Sequence, residues 1–123
     1  MKVLLSIKPE FVTKILSGEK RFEFRKNIFK NKSVKTIVIY ATMPVGKVVG
    51  EFDIDYVISD NPDLVWEKTK KYAGISKRFY DAYFEQKQQA FAIAVGRVTQ
   101  YEEPKPLNYL GNNIMAPQSY RYL

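Results

Sequence analysis

Residues Val48–Ile58 alternate in character: Phe52, Ile54, Tyr56 and Ile58 fall on one side, and Glu51, Asp53 and Asp55 on the other. A period of two belongs to a strand with one buried face, because successive strand side chains point to opposite faces. So long a strand needs partners along its length, and the chain offers them. Gln89–Tyr101 alternates through Phe91, Ile93 and Val95, with Gly96 placed for a bulge. Thr36-Ile37-Val38-Ile39-Tyr40, within Val34–Ala41, has no polar face and reads as a buried central strand. Lys2–Ile7 reads as a short buried strand. Lys20–Lys26 alternates with Phe22 and Phe24 on one side and Arg21, Glu23 and Arg25 on the other.

Helix signals lie between these stretches. Pro9 suits a first helical position, Phe11, Val12, Ile15 and Leu16 recur at helical spacing, and Gly18 follows as a C-terminal cap. Asn61-Pro62 opens a second helix, ended by Gly74, with Leu64, Val65 and Tyr72 as its packing residues. Ser76 caps a third, packed through Phe79, Tyr80, Tyr83 and Phe84. Asn27–Ser33 is a polar loop, and Pro104 and Pro106 stop the last strand. The Tyr-rich residues 107–123 read as irregular chain docked on the body. Five strands and three helices in this order predict an α+β fold, a small, mostly antiparallel β-barrel with packed helices, as one domain over residues 1–123.

The chain contains neither histidine nor cysteine. That excludes thiol nucleophiles, histidine bases, disulfides and zinc sites of the Cys/His type. No cofactor or metal is called for. Asp60, Asp63 and Glu67 could gather a cation, but a capped helix start accounts for them better. No segment approaches the ~20 apolar residues of a membrane span, and the apolar run at the N-terminus is cut short by Lys8 and Pro9. A soluble, cytoplasmic protein with no membrane partner is expected; its oligomeric state is not legible. Net charge is +7 and unevenly spread: residues 1–50 carry eleven Lys/Arg against three Asp/Glu. Such a surplus favours a polyanionic partner, because phosphate contacts release condensed counterions.

The segments Ser6-Ile7-Lys8-Pro9-Glu10-Phe11, Ile15-Leu16-Ser17-Gly18-Glu19-Lys20 and Phe22-Glu23-Phe24-Arg25 come in the order strand, helix, Gly-x-Lys turn and strand ending in Glu-x-Arg. In that order they resemble the opening of ASCH domains of the PUA-like superfamily. Ile39-Tyr40-Ala41-Thr42, Val49-Gly50-Glu51-Phe52 and Pro117-Gln118-Ser119 also look like this family, in its stand-alone bacterial and archaeal branch. The resemblance implies a PUA-like barrel with a cleft along the helix–turn–strand segment. RNA or a modified nucleotide or nucleoside is the ligand it implies, with a regulatory role in translation or transcription. One family branch is an amidohydrolase using a lysine and a threonine at this turn and a glutamate from a later helix. Lys20 matches the lysine, Glu23 stands in the threonine's place, and no carboxylate occurs around Gly74–Ser76.

The residues also read without the family. A carboxylate between two cations stays ionised and holds them in place, and a guanidinium can grip phosphate bidentately. Lys8, Lys20, Arg21, Glu23 and Arg25 are therefore the candidate ligand contacts, with Tyr40 and Thr42 as a stacking aromatic and its neighbour. The ASCH-like Pro117-Gln118-Ser119, in an aromatic-rich tail, implies that Gln118 and Ser119 wall the cleft of the resemblance. The first reading is an RNA- or nucleotide-binding module. The alternative is a small hydrolase, a nucleoside amidohydrolase or a ribonuclease, with Lys20 and Glu23 as its catalytic residues. The competing structural account of the same charges is a solvent-facing strand with weak ion pairs.

Overall fold

The computed structural model describes residues 1–123. Six strands form one sheet: β1 (Lys2–Ile7), β2 (Phe22–Arg25), β3 (Thr36–Ala41), β4 (Lys47–Asp60), β5 (Ala90–Lys105) and β6 (Arg121–Tyr122). Three helices accompany it: α1 (Pro9–Ser17), α2 (Pro62–Thr69) and α3 (Lys77–Tyr83). The strand order is β2-β5-β4-β3-β1-β6. β1 and β3 run parallel, joined by a crossover that carries α1, and every other pairing is antiparallel. The sheet curls into a half-barrel, the α+β architecture expected.

The curl has local causes. Register slips interrupt the β4–β5 ladder, one of them beside Gly96. A Cβ on Gly96 would stand 2.8 Å from the Asp53 carbonyl, so the strands approach there only because the residue is glycine.

Three apolar clusters fill the fold. On one sheet face Val12 and Ile15 of α1 meet Val3, Leu5, Ile7, Ile37, Ile39 and Phe52. On the other, Leu4, Val38, Tyr40 and Val48 are covered by Leu107, Leu110 and Ile114. The third cluster joins α2 and α3 to β2 and β5, where Ala90, Ala92 and Ala94 leave room for the rings of Tyr80 and Phe84.

The caps stand where the sequence puts them. Gly18 adopts φ 85°, the Asn61 side chain accepts the Leu64 N–H, and the Ser76 hydroxyl accepts the Phe79 N–H. Elsewhere the structure corrects the reading. α2 ends at Thr69, short of Gly74, and a 3-10 turn over Lys70–Tyr72 follows; the buried positions of α2 are Val65 and Thr69, an i, i+4 pair, while Leu64, and Tyr72 in the turn, face outward. β5 continues through Pro104 to Lys105, because its ladder with β4 is interrupted between Gly50 and Val48 and asks no hydrogen bond of the proline. The tail contributes a sixth strand, β6, paired with Val3 and Leu4. Tyr56 points largely to solvent, since the slips between Phe52 and Val57 break the alternation. No helix is long and apolar enough to cross a membrane. Asp60, Asp63 and Glu67 do not converge; Asp60 accepts the Asn61 N–H at the start of α2.

Candidate ligand-binding cleft

Where the end of β1, the start of α1, β2 and α3 meet, they leave a cleft of about 280 Å³. Lys20 forms its floor. Gly18 ends α1, and Lys20 N–H then donates to the Lys14 carbonyl, turning the chain into β2. The Lys20 side chain is 2% exposed. Its ammonium donates to the Ala73 carbonyl at 2.7 Å and sits 4.7 Å from the Phe24 ring centre and 5.3 Å from that of Phe11. Lys14 donates to the neighbouring Gly74 carbonyl at 3.1 Å, and Arg21 N–H to the Tyr72 carbonyl at 2.9 Å. The 72–74 turn is thus stitched to the Lys20 segment by backbone and side-chain bonds together. Burial pushes the Lys20 amine down to about 8; the Glu23 carboxylate opposes that shift and Lys14 adds to it.

Glu23 is buried as well. Arg25 pairs with it, Nη1 donating to Glu23 Oε2 at 3.2 Å and to the Ser6 carbonyl at 3.3 Å. Arg25 Nη2 donates to the Ser119 carbonyl at 2.7 Å. β2 is one end of the sheet and β1–β6 the other, so this guanidinium ties the two ends of the half-barrel together across the cleft. Ser6 Oγ donates to the Pro117 carbonyl at 2.7 Å, holding the tail against the same wall.

The structure brings Lys8, Lys20, Glu23, Arg25 and Gln118 into one cleft, with the Ser119 carbonyl on Arg25 at its side. Lys8 is the N-cap residue of α1, and its ammonium lies 5.2 Å from the Phe79 ring centre. Three candidates lie elsewhere. Arg21 precedes β2 and stacks on Tyr72 at 4.4 Å. Tyr40 packs into the cluster of Leu4, Val38 and Val48 on the opposite sheet face. Thr42 begins the turn after β3, its N–H donating to the Ile7 carbonyl.

The aromatic walls are instead Phe11, Phe24, Phe79 and Tyr83. Phe79 meets Phe11 edge-on at 5.2 Å, and Tyr83 carries the Lys26 ammonium at 4.5 Å. Phe79 and Tyr83 read from the sequence as helix packing, because nothing local shows that α3 returns to the start of α1. Phe79 is exposed, while Tyr83 is half-buried beside Tyr80 and Phe84, so the sequence holds no signal that separates the two from the packing face of α3.

A floor of two buried opposite charges and four aromatic walls can receive a flat ring bearing both hydrogen-bond donors and acceptors. Lys20 has three N–H donors and gives one to Ala73. Arg25 Nη1, by contrast, is used up inside the protein.

The family model that matches residues 5–99 is that of the ASCH domain. The chain is 29% identical over 127 residues to the ASCH domain-containing ribonuclease of Zymomonas mobilis, covering 99% of this chain and 84% of that protein. A crystal structure of ASCH from Zymomonas mobilis superposes with a TM-score of 0.90 at 30% identity, over 99% of this chain and 87% of that one. The large ribosomal subunit protein uL22 of Ureaplasma parvum is 37% identical over 105 residues. That match takes in 85% of this chain but spans only 33% of the length of the Ureaplasma protein.

Proposed function

The chain belongs to the ASCH domain family, and we propose that it is an RNA-binding module whose cleft seats one nucleotide of a single strand. In this reading residues 1–123 act as one domain, in the cytoplasm, on RNA or on a modified nucleotide within it. The observation that carries the reading is the Lys20 ammonium, buried yet with donors left over, at the floor of a cleft walled by aromatic rings. A volume of about 280 Å³ lies just under the range of sites for drug-sized ligands, ≈ 300–1,000 Å³, and suits a base better than a helix of RNA. Single-stranded bases are recognised by stacking on aromatic faces and by hydrogen bonds to their edges. Here Lys20 donates to a carbonyl or phosphate oxygen, and the free oxygen of Glu23 accepts from an amino group. Arg25 holds Glu23 in place through its other oxygen, Oε2.

A second reading, a ribonuclease, is favoured by the name of the Zymomonas relative and by the lowered pKa of Lys20. A neutral Lys20 amine would take the proton of a ribose 2′-hydroxyl as that oxygen bonds to phosphorus, the bond from phosphorus to the 5′-oxygen breaks, and water protonates the leaving oxygen. Amide hydrolysis has less support, because Ile75 lines the wall where a second carboxylate, beside Glu23, would be needed.

The test is a titration of single-stranded RNA at increasing salt, followed by electrophoresis of the RNA. Salt-dependent binding with intact RNA supports the module. Shortened RNA whose production Lys20→Ala abolishes supports the ribonuclease. No binding at low salt contradicts both.

A further inference from the structure

Between Glu23 and Glu51 the sequence contains no Asp or Glu, and Lys26, Lys30, Lys32 and Lys35 fall within that gap. All four are exposed, and none forms an ion pair. They sit on or beside the loop that joins β2 to β3. The loop has no regular secondary structure, but it is fixed. Ile28 and Phe29 pack against the core, and Val34 is buried within it. Phe29 meets Tyr120 edge-on at 6.0 Å. The Tyr122 hydroxyl accepts the N–H groups of both Lys30 and Asn31, at 3.1 and 3.2 Å. Asn31 Oδ1 accepts the Ser33 N–H at 2.8 Å. The apolar residues of the loop point in, the lysines point out, and the tail clamps the backbone between them.

The loop begins at Arg25, in the cleft, and ends where Lys35 N–H donates to the Met1 carbonyl, at the far end of β1 from Ser6. Six strand residues span roughly 20 Å. Unpaired cations therefore run from the cleft mouth along the length of β1.

Building on the RNA-binding reading above, we propose that this β2–β3 loop is a second binding site, a track for the phosphates of the strand whose base occupies the cleft. The ligand is then an oligonucleotide and not a free nucleotide. The lysines contact phosphates without reading sequence, which is how backbone contacts add affinity and position. A preordered loop loses little conformational freedom on binding, so the cations act at full effect. A span of roughly 20 Å corresponds to a site of about four or more nucleotides, the lower end for single-strand grooves.

The test compares three proteins: wild type, Lys30→Gln/Lys32→Gln/Lys35→Gln, and a control, Lys68→Gln/Lys71→Gln/Lys87→Gln, that removes the same charge from the helical side. Each is titrated with a mixed-sequence single-stranded RNA of about twelve nucleotides at several salt concentrations, and with cytidine monophosphate. Thermal melting verifies that all three are folded. The loop variant is expected to lose at least about tenfold in RNA affinity, with its log–log salt slope shallower by about 2, at ≈ 0.7 per lost phosphate contact. Its mononucleotide binding stays at the wild-type level, and the control keeps most of its RNA affinity. Equal slopes for wild type and loop variant, or an equal loss in the control, would overturn the track while leaving the cleft in place. If wild type itself fails to bind the RNA at low salt, the underlying RNA-binding reading falls first.

Discussion

The stem of Lys20 lies directly against the α-carbon of Gly74, so that a methyl group on Gly74 would overlap Cβ and Cγ of the lysine. Gly74 also has φ 68°, a conformation that costs other residues roughly 1–2 kcal/mol. Both atoms it meets are at the base of the side chain and cannot swing away. Gly74→Ala is therefore expected to lower stability by at least about 1 kcal/mol, read as a lower denaturation midpoint. It is also expected to weaken RNA binding by shifting the ammonium off the Ala73 carbonyl. A fully stable variant with unchanged binding would mean that Lys20 is not held by this turn.

Lys20 also sets a pH signature. Its amine falls from 10.5 to about 8 through burial, against the attraction of Glu23. Between those two values the unfolded chain binds the proton more tightly than the folded one, so stability rises with pH across that window and is flat below it. At 1.36 kcal/mol per unit the full gain is about 3 kcal/mol. The raised hydroxyls of Tyr80 and Tyr101 act in the opposite sense above pH ~10. Denaturant melts between pH 7.5 and 9.5 are thus the place to look, with about 1.4 kcal/mol per unit as the steepest slope. Lys20→Met is expected to be flat over that range. RNA affinity in the wild type falls over the same range as the ammonium is lost, whereas ribonuclease activity with Lys20 as base would rise.

Arg25 holds the half-barrel shut. Arg25→Ala leaves the Glu23 carboxylate buried without its cation and frees the Ser6 and Ser119 carbonyls. Breaking a buried pair by removing one partner costs about 3–5 kcal/mol, and the 13% exposure of this arginine argues for the lower end. Tail residues 117–123 become more open to protease and exchange their amide hydrogens faster. Arg25→Ala/Glu23→Gln recovers part of the stability but not the tail's protection. A tail as well protected in both variants as in the wild type would remove Arg25 from this role.

The aromatic walls separate binding from folding. Phe79 is exposed enough for Phe79→Ala to leave the fold intact, while stacking of a base is worth about 1–3 kcal/mol. A tenfold or greater loss of RNA affinity with little change in melting temperature is expected. Tyr80→Ala, one residue on but buried, costs about 3–5 kcal/mol of stability. Binding unaffected by Phe79→Ala would place the ligand elsewhere in the cleft.

What the sequence made legible was local. Gly18, Asn61 and Ser76 each act on bonds within four residues of themselves, and the period-two stretches determine which elements are strands. The placing of Lys20, Glu23 and Arg25 followed from one turn and one short strand. Tyr40 did not, because both faces of Thr36–Ala41 are apolar and only pairing with β1 shows which face α1 covers. Phe79 and Tyr83 depend on the return of α3 to α1, and Pro104 on a ladder slip in its partner strand. Those are relations between distant segments, which no window of residues contains. The outward turn of Arg21 is of the same kind, since its partner Tyr72 arrives from the end of the α2 segment.

Whether an RNA nucleotide binds at Lys20 is decided by the RNA affinity of Lys20→Ala. Fluorescence anisotropy with a labelled single-stranded RNA, at one low salt concentration, should show at least about a tenfold loss, near 1.4 kcal/mol. The variant should melt as a folded protein, and Lys20→Arg should retain part of the affinity. Wild-type affinity in a folded Lys20→Ala protein would mean that no nucleotide binds at Lys20, leaving it as part of the scaffold.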